Sequence, residues 1–136
     1  MKTTKFLFRI LFALYISILL FLSLYSFKET QVDLSFKILG LDADKVIHFI
    51  MYLPFPFSAW FAFGGIMKNS FGRYSKLVLF VSGLAVASLT ELLQNATSYR
   101  YSDFYDLLAN YFAIFLGTIL VLIIDRYANN VWPGRL

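Results

Sequence analysis

Residues 44–67 read DKVIHFIMYLPFPFSAWFAFGGIM, and this stretch decides the fold. After Lys45 it holds no lysine, arginine, aspartate or glutamate as far as Met67, and a bilayer-spanning helix needs ~20 mostly apolar residues. Its beginning is polar. Lys45, His48 and Tyr52 fall at i, i+3 and i+7, on one face of a helix, and Asp44 reads as the N-cap ahead of them. Pro54 cannot donate to the carbonyl of residue 50, so a kink or break is expected at Pro54–Pro56. In a bilayer the freed carbonyl needs protein or water. A water-filled pocket beside the polar cluster and a kink that only shapes packing both stay open.

Three other stretches share this character, so the expected spans are Phe6–Phe27, Val46–Met67, Leu77–Asn95 and Phe104–Ile124. The chain of 136 residues is 60% hydrophobic, 20% aromatic and 15% charged. A soluble domain carries about 45–50% apolar and about 25% charged residues, so one small core cannot hide this excess. The first apolar run is longer than a signal-peptide core of about 7–15 residues and no A-x-A-like site follows, so it reads as a retained helix. The connectors Lys28–Lys45, Lys68–Lys76 and Ala96–Asp103 are polar, and no internal repeat is visible. The prediction is one domain, residues 1–136, an all-α membrane-embedded four-helix bundle. The chain has no cysteine, which excludes disulfides, thiolate metal sites and cysteine nucleophiles.

Charge orients the bundle. Lys2, Lys5, Arg9, Lys68, Arg73, Lys76, Arg126 and Arg135 fall on one side, with Asp125 as its acidic residue. Lys28, Lys37, Lys45 and Arg100 fall on the other, with Glu29, Asp33, Asp42, Asp44, Asp103 and Asp106. The positive-inside rule then places both termini in the cytoplasm. Basic residues that flank apolar runs set topology, so the net charge of +4 does not point to nucleic acid.

This orientation gathers three polar clusters at the outer end: Asp44–Tyr52, Glu91 with Gln94, and Arg100 through Asp103 and Asp106 to Asn110. Gly83, Ala87, Glu91 and Gln94 form one helical stripe, and Asp103, Asp106, Asn110, Ala113 and Gly117 another. Each is polar at its outer end and small deeper in, the pattern that lets membrane helices approach and bond across the contact. Helices 2, 3 and 4 are therefore expected to pack around an outward-facing polar pocket. Helix 1 is expected to be peripheral, with Ser17 and Ser23 bonding its own backbone.

Ionisable groups inside a membrane are functional candidates by default. Asp103 reads as the N-cap of the last helix. Glu91 sits near a helix C-terminus, where the dipole disfavours an anion, and needs a cationic partner such as Arg100 or Lys45. His48, oriented by Asp106, is a candidate general base. Ser98, Ser102 and Thr90 stand in no nucleophile motif, so no catalytic set is firm. One histidine with carboxylates matches zinc sites poorly, while a hard cation on Glu91, Asp103 and Asp106 stays open. Lys45 and Arg100 against Asp44, Glu91, Asp103 and Asp106 leave a deficit that a cation or an amine-bearing ligand would offset.

The order of these motifs resembles the VanZ-like membrane proteins. That family's pattern reads Asp-Lys-x-x-His-Phe-x-x-Tyr, then Glu-x-x-Gln, an arginine, and Asp-x-x-x-Asn-x-x-Gly-x-x-x-Gly. It is matched by Asp44, Lys45, His48, Phe49 and Tyr52, by Glu91, Gln94 and Arg100, and by Asp106, Asn110 and Gly117. Ala113 replaces the first glycine, Ser98-Tyr99 replaces a Pro-Gly-like turn, and Pro54 and Pro56 are additions. The resemblance covers about residues 40–120. It implies a multi-pass protein of the bacterial cytoplasmic membrane, and the family takes its name from teicoplanin resistance. The leading expectation is a non-enzymatic envelope factor with no cofactor. It would use Lys45, His48, Tyr52, Glu91, Gln94, Arg100, Asp106 and Asn110 to bind a lipid head group, a lipid-linked cell-wall precursor or a membrane partner protein. Two alternatives stand beside it. One is a small intramembrane enzyme acting on a lipid-linked or phosphorylated substrate, with His48 and Asp106 catalytic and Lys45 and Arg100 on the phosphate. The other is an accessory subunit of a membrane complex.

Overall fold

The computed structural model describes residues 2–24, 36–96 and 103–128. They form α1 (Lys2–Leu24), β1 (Lys37–Ile38), β2 (Leu41–Asp42), α2 (Ala43–Tyr52), α3 (Phe55–Phe71), α4 (Ser75–Ala96) and α5 (Phe104–Tyr127). The all-helical expectation holds. Three continuous helical stretches, Lys2–Leu24, Ala43–Ala96 and Phe104–Tyr127, are long and apolar enough to cross a membrane. The middle one, 54 residues long, contains α2, α3 and α4. At Gly72–Tyr74 a 3₁₀ turn begins at positive φ on Gly72, and α4 then packs along α3.

Large apolar side chains such as Phe6, Leu14, Phe21, Leu92, Phe112 and Tyr127 are exposed. A surface this apolar is normal against lipid and abnormal against water. Inside, one cluster joins Leu19, Tyr52, Ala87, Ala113 and Ile114. A second joins Phe55, Ala59, Trp60, Leu79 and Val121.

The chain does break at the prolines. α2 ends at Tyr52, and α3 starts at Phe55 with Pro54 in the N-cap position and Pro56 in its first turn, where a missing N–H costs nothing. The Tyr15 hydroxyl of α1 donates to the Met51 carbonyl at the end of α2, 2.6 Å. On α5, a Cβ added at Gly117 would lie 2.9 Å from the Leu53 carbonyl and 2.8 Å from Pro56. Glycine there is what lets α5 reach the break. Gly83 does the same for α4, where a Cβ would meet Ile114 at 2.6 Å. Both small-residue stripes thus face neighbouring helices, as their spacing predicts.

Three expectations need correction. Asp44 is not the N-cap of α2. That position is Asp42, whose side chain makes no capping bond. The helix starts earlier because residues 37–42 form a two-stranded hairpin where a plain polar connector was expected, with Leu39 and Gly40 at positive φ. The Ala43 N–H donates to Phe36 (3.1 Å), which occupies an end donor that a cap would otherwise serve. Third, α1 is not peripheral. It packs on α3 and α4, supports the break through Tyr15, and accepts a bond from Gln94 at Ser23.

At the opposite end from Glu91, Asp125 of α5 binds Lys68 of α3 at 2.7 Å and Lys76 of α4 at 2.6 Å. Both ammonium groups also lie over the Trp60 ring, at 5.3 and 5.1 Å, a favourable position for a cation.

Candidate functional site

α2, α4 and α5 converge with their polar residues turned inward. His48, Glu91, Gln94, Asp106 and Asn110 are all buried, although every one is polar. Burial of such groups is tolerated only when they are bonded to one another, and here a directed chain connects them. Asn110 Nδ2 donates to Glu91 Oε1 at 3.3 Å, and Asn110 Oδ1 lies 3.1 Å from His48 Nδ1. With the amide nitrogen committed to a carboxylate, Asn110 Oδ1 is an acceptor. His48 Nδ1 therefore donates to Asn110, and Nε2 is turned to the opposite side of the ring.

Nε2 faces acid on both sides. It lies 3.9 Å from Asp44 Oδ1 and 3.8 Å from Asp106 Oδ2. These separations are too long for hydrogen bonds. Asp44, His48 and Asp106 each offer a ligand atom, all within 4.8 Å of one another. Glu91 is 3.9 Å from Nδ1, on the other side of the ring. Neither Glu91 nor Asp103 belongs to the trio. The atoms with mutual reach include Asp44 instead, whose i, i+4 spacing to His48 was the available signal and was obscured by reading Asp44 as a cap.

Lys45 pairs with three carboxylates at the rim of the site. Its Nζ is 3.2 Å from Asp42, 3.5 Å from Asp103 and 3.9 Å from Asp106. One lysine is thus shared by three carboxylates, and its shortest pair is with the most exposed of them. Asp44 and Asp106 also gain from the free N–H groups of the first turns of α2 and α5. A helix dipole contributes about 0.3–1 kcal/mol per charge, against several kcal/mol to bury an ion. Among the described residues, Lys45 is the lysine that meets this acidic group. Asp103 does cap α5, accepting from the Tyr105 N–H at 3.0 Å.

The remaining expected residues hold the walls. The Tyr52 and Thr90 hydroxyls bond to each other, and Thr90 also donates to the Ala87 carbonyl at 2.8 Å. Thr90 is therefore engaged in structure and is no poised nucleophile. Gln94 Nε2 donates to the Ser23 carbonyl at 2.7 Å, which closes α1 onto the site. The sequence reading weighed Thr90 only as a nucleophile and left Ser23 out of the site. Thr90 could have been found, since it lies three residues after Ala87 and four before Gln94 on the same stripe. Ser23 had no signal beyond a small hydroxyl near the end of an apolar helix. Arg100, with Ser98 and Ser102, lies outside the described residues.

Between α4 and α5 a groove of ≈ 410 Å³ opens, lined by Ser88, Glu91, Leu92, Asn95, Asp103, Phe104 and Leu107. It combines two carboxylates with apolar and aromatic walls. His48 is not among its lining residues; it connects to Glu91 through Asn110, which bonds to both.

Comparison with known proteins agrees with the motif reading. A family model described as VanZ/LLP1 matches residues 3–125. No curated protein and no solved structure matches the chain.

Proposed function

Because the chain belongs to the VanZ/LLP1 family and its apolar helices fit a membrane protein of that type, we propose that it is a non-enzymatic receptor for an amine-bearing head group. The head group would belong to a lipid or a lipid-linked cell-wall precursor. The chain would cross the bacterial cytoplasmic membrane four times, as α1, α2 with α3, α4, and α5, with both termini cytoplasmic. The groove between α4 and α5 would open on the outer side, and a contribution to glycopeptide tolerance would follow from occupying such a precursor.

One observation carries this reading. Glu91 is buried, lines the groove, and shares it with Asp103. An ammonium group entering there meets two carboxylates, and Leu92, Phe104 and Leu107 offer an apolar wall to the chain behind it. The catalytic alternative has less support, because His48 does not line the groove and the Tyr52 and Thr90 hydroxyls are bonded to each other.

The test is binding of phosphatidylethanolamine against phosphatidylglycerol to the purified full-length protein by native mass spectrometry. A preference of at least ~10-fold, or ~1.4 kcal/mol, is expected for the amine lipid, and Glu91→Gln and Asp103→Asn should each erode it. Equal binding of the two lipids, or a preference untouched by both substitutions, sinks the proposal. A reporter fused after Leu136 checks the topology: its signal should be cytoplasmic.

A further inference from the structure

We infer that Asp44, His48 and Asp106 form a binding site for one divalent first-row metal ion of the Mn²⁺ or Zn²⁺ class. This goes beyond the head-group reading and does not rest on it.

The donor geometry comes first. Two ligands of one ion, each bound at ~2.1 Å, lie at most ~4.2 Å apart. Nε2 of His48 is 3.9 Å from Asp44 Oδ1 and 3.8 Å from Asp106 Oδ2. The gaps that are too wide for hydrogen bonds are the right width for an ion between the atoms. The carboxyl groups of Asp44 and Asp106 also meet each other, an approach that needs a shared proton or a cation.

The second observation is the orientation of the imidazole. Asn110 is fixed by its bond to Glu91, so it holds the His48 proton on Nδ1. This turns Nε2 toward the Asp44 and Asp106 oxygens, with which it can share an ion. A histidine whose far nitrogen donates to a fixed acceptor is how metal sites orient their imidazole ligands. Here Asn110 and Glu91 form that outer layer.

The third is Asp106 itself. Its side chain is only 4% exposed, and its Oδ1 is buried with no hydrogen-bond partner. Lys45 stands 3.9 Å away and is nearer to Asp42 and Asp103. One imidazole nitrogen with two carboxylates suits Mn²⁺ better than Ca²⁺; it is not the usual zinc set, and Zn²⁺ enters as the competitor of higher general affinity. Three protein ligands leave coordination positions open to water.

The experiment uses full-length protein in detergent, stripped with EDTA and titrated with Mn²⁺ while the free-ion signal is read by electron paramagnetic resonance. One saturable site per chain is expected, from which Zn²⁺ displaces Mn²⁺. Asp44→Asn and His48→Gln should each weaken it by at least ~10-fold, while Asp42→Asn binds like the wild type. The Asp44 side chain is 33% exposed, so its variant decides the matter should the His48 variant fail to fold. Absence of saturable binding in folded protein, or binding unchanged in Asp44→Asn, overturns the assignment. The assay contains no amine lipid, so its outcome is independent of the lipid-preference test.

Discussion

The two ends of this molecule handle charge in opposite ways. At one end a single carboxylate, Asp125, is gripped by Lys68 and Lys76 at 2.7 and 2.6 Å, with Trp60 beneath both cations. At the other, Asp42, Asp103 and Asp106 share Lys45 at 3.2 to 3.9 Å, and Asp44 and Glu91 lie 3.9 Å from the two nitrogens of His48. The first end has more cation than anion and short, direct pairs. It is a clasp that joins α3, α4 and α5. The second, among the described residues, has more anion than cation, and separations of 3.8 to 3.9 Å surround the imidazole. Proteins keep such an imbalance where it serves binding, and stabilise themselves elsewhere.

Three substitutions sharpen this contrast. The largest effect is expected from Asp125→Ala, which strands two lysines and should cost about 3 kcal/mol, seen as a lowered unfolding temperature in detergent. A change below the noise of that measurement would erase the distinction between clasp and site. Asp106→Asn should act with the opposite sign. Removing one negative charge from this acid-rich end should leave the metal-stripped protein as stable or more stable, by about 0.5–1 kcal/mol, while Mn²⁺ binding falls. A loss of stability comparable to that of Asp125→Ala would show that both ends are merely structural. The smallest effect belongs to Asp42→Asn, an exposed partner of Lys45, which should shift stability by no more than about 0.5 kcal/mol.

Much of this arrangement can be read directly from residue spacing. Gly83, Ala87, Glu91 and Gln94 fall on one face of a helix whether or not a structure is seen, and so do Asp106, Asn110, Ala113 and Gly117. All are buried or in close contact with a neighbouring helix. Pro54 announces the break for a purely covalent reason. What spacing cannot carry is the contact between distant segments. Tyr15 meets Met51, and Gln94 meets Ser23, across a whole helix pair. No periodicity within α1 distinguishes those two residues from neighbours that face lipid. The hairpin at 37–42 was equally hidden, because a turn carrying Leu39 at positive φ breaks the composition rule for such turns. It in turn displaced the helix start that determines what Asp44 does.

The break at Leu53–Pro54 has one more consequence. It makes α2 a free-standing segment of 10 residues, about 15 Å long, or half the ~30 Å depth of a bilayer core. Lys45, His48 and Tyr52 all ride on this half-length rod. Its direction is set at residues 53–56 and by the notch at Gly117, and its polar face is then held by the His48–Asn110 and Tyr52–Thr90 bonds. Evolution can therefore tilt the rod by a substitution at the notch and retune the spacing between His48 and the carboxylates of α5. The alignment of the polar centre thus depends in part on two apolar positions, Pro56 and Gly117, that take no part in its bonding.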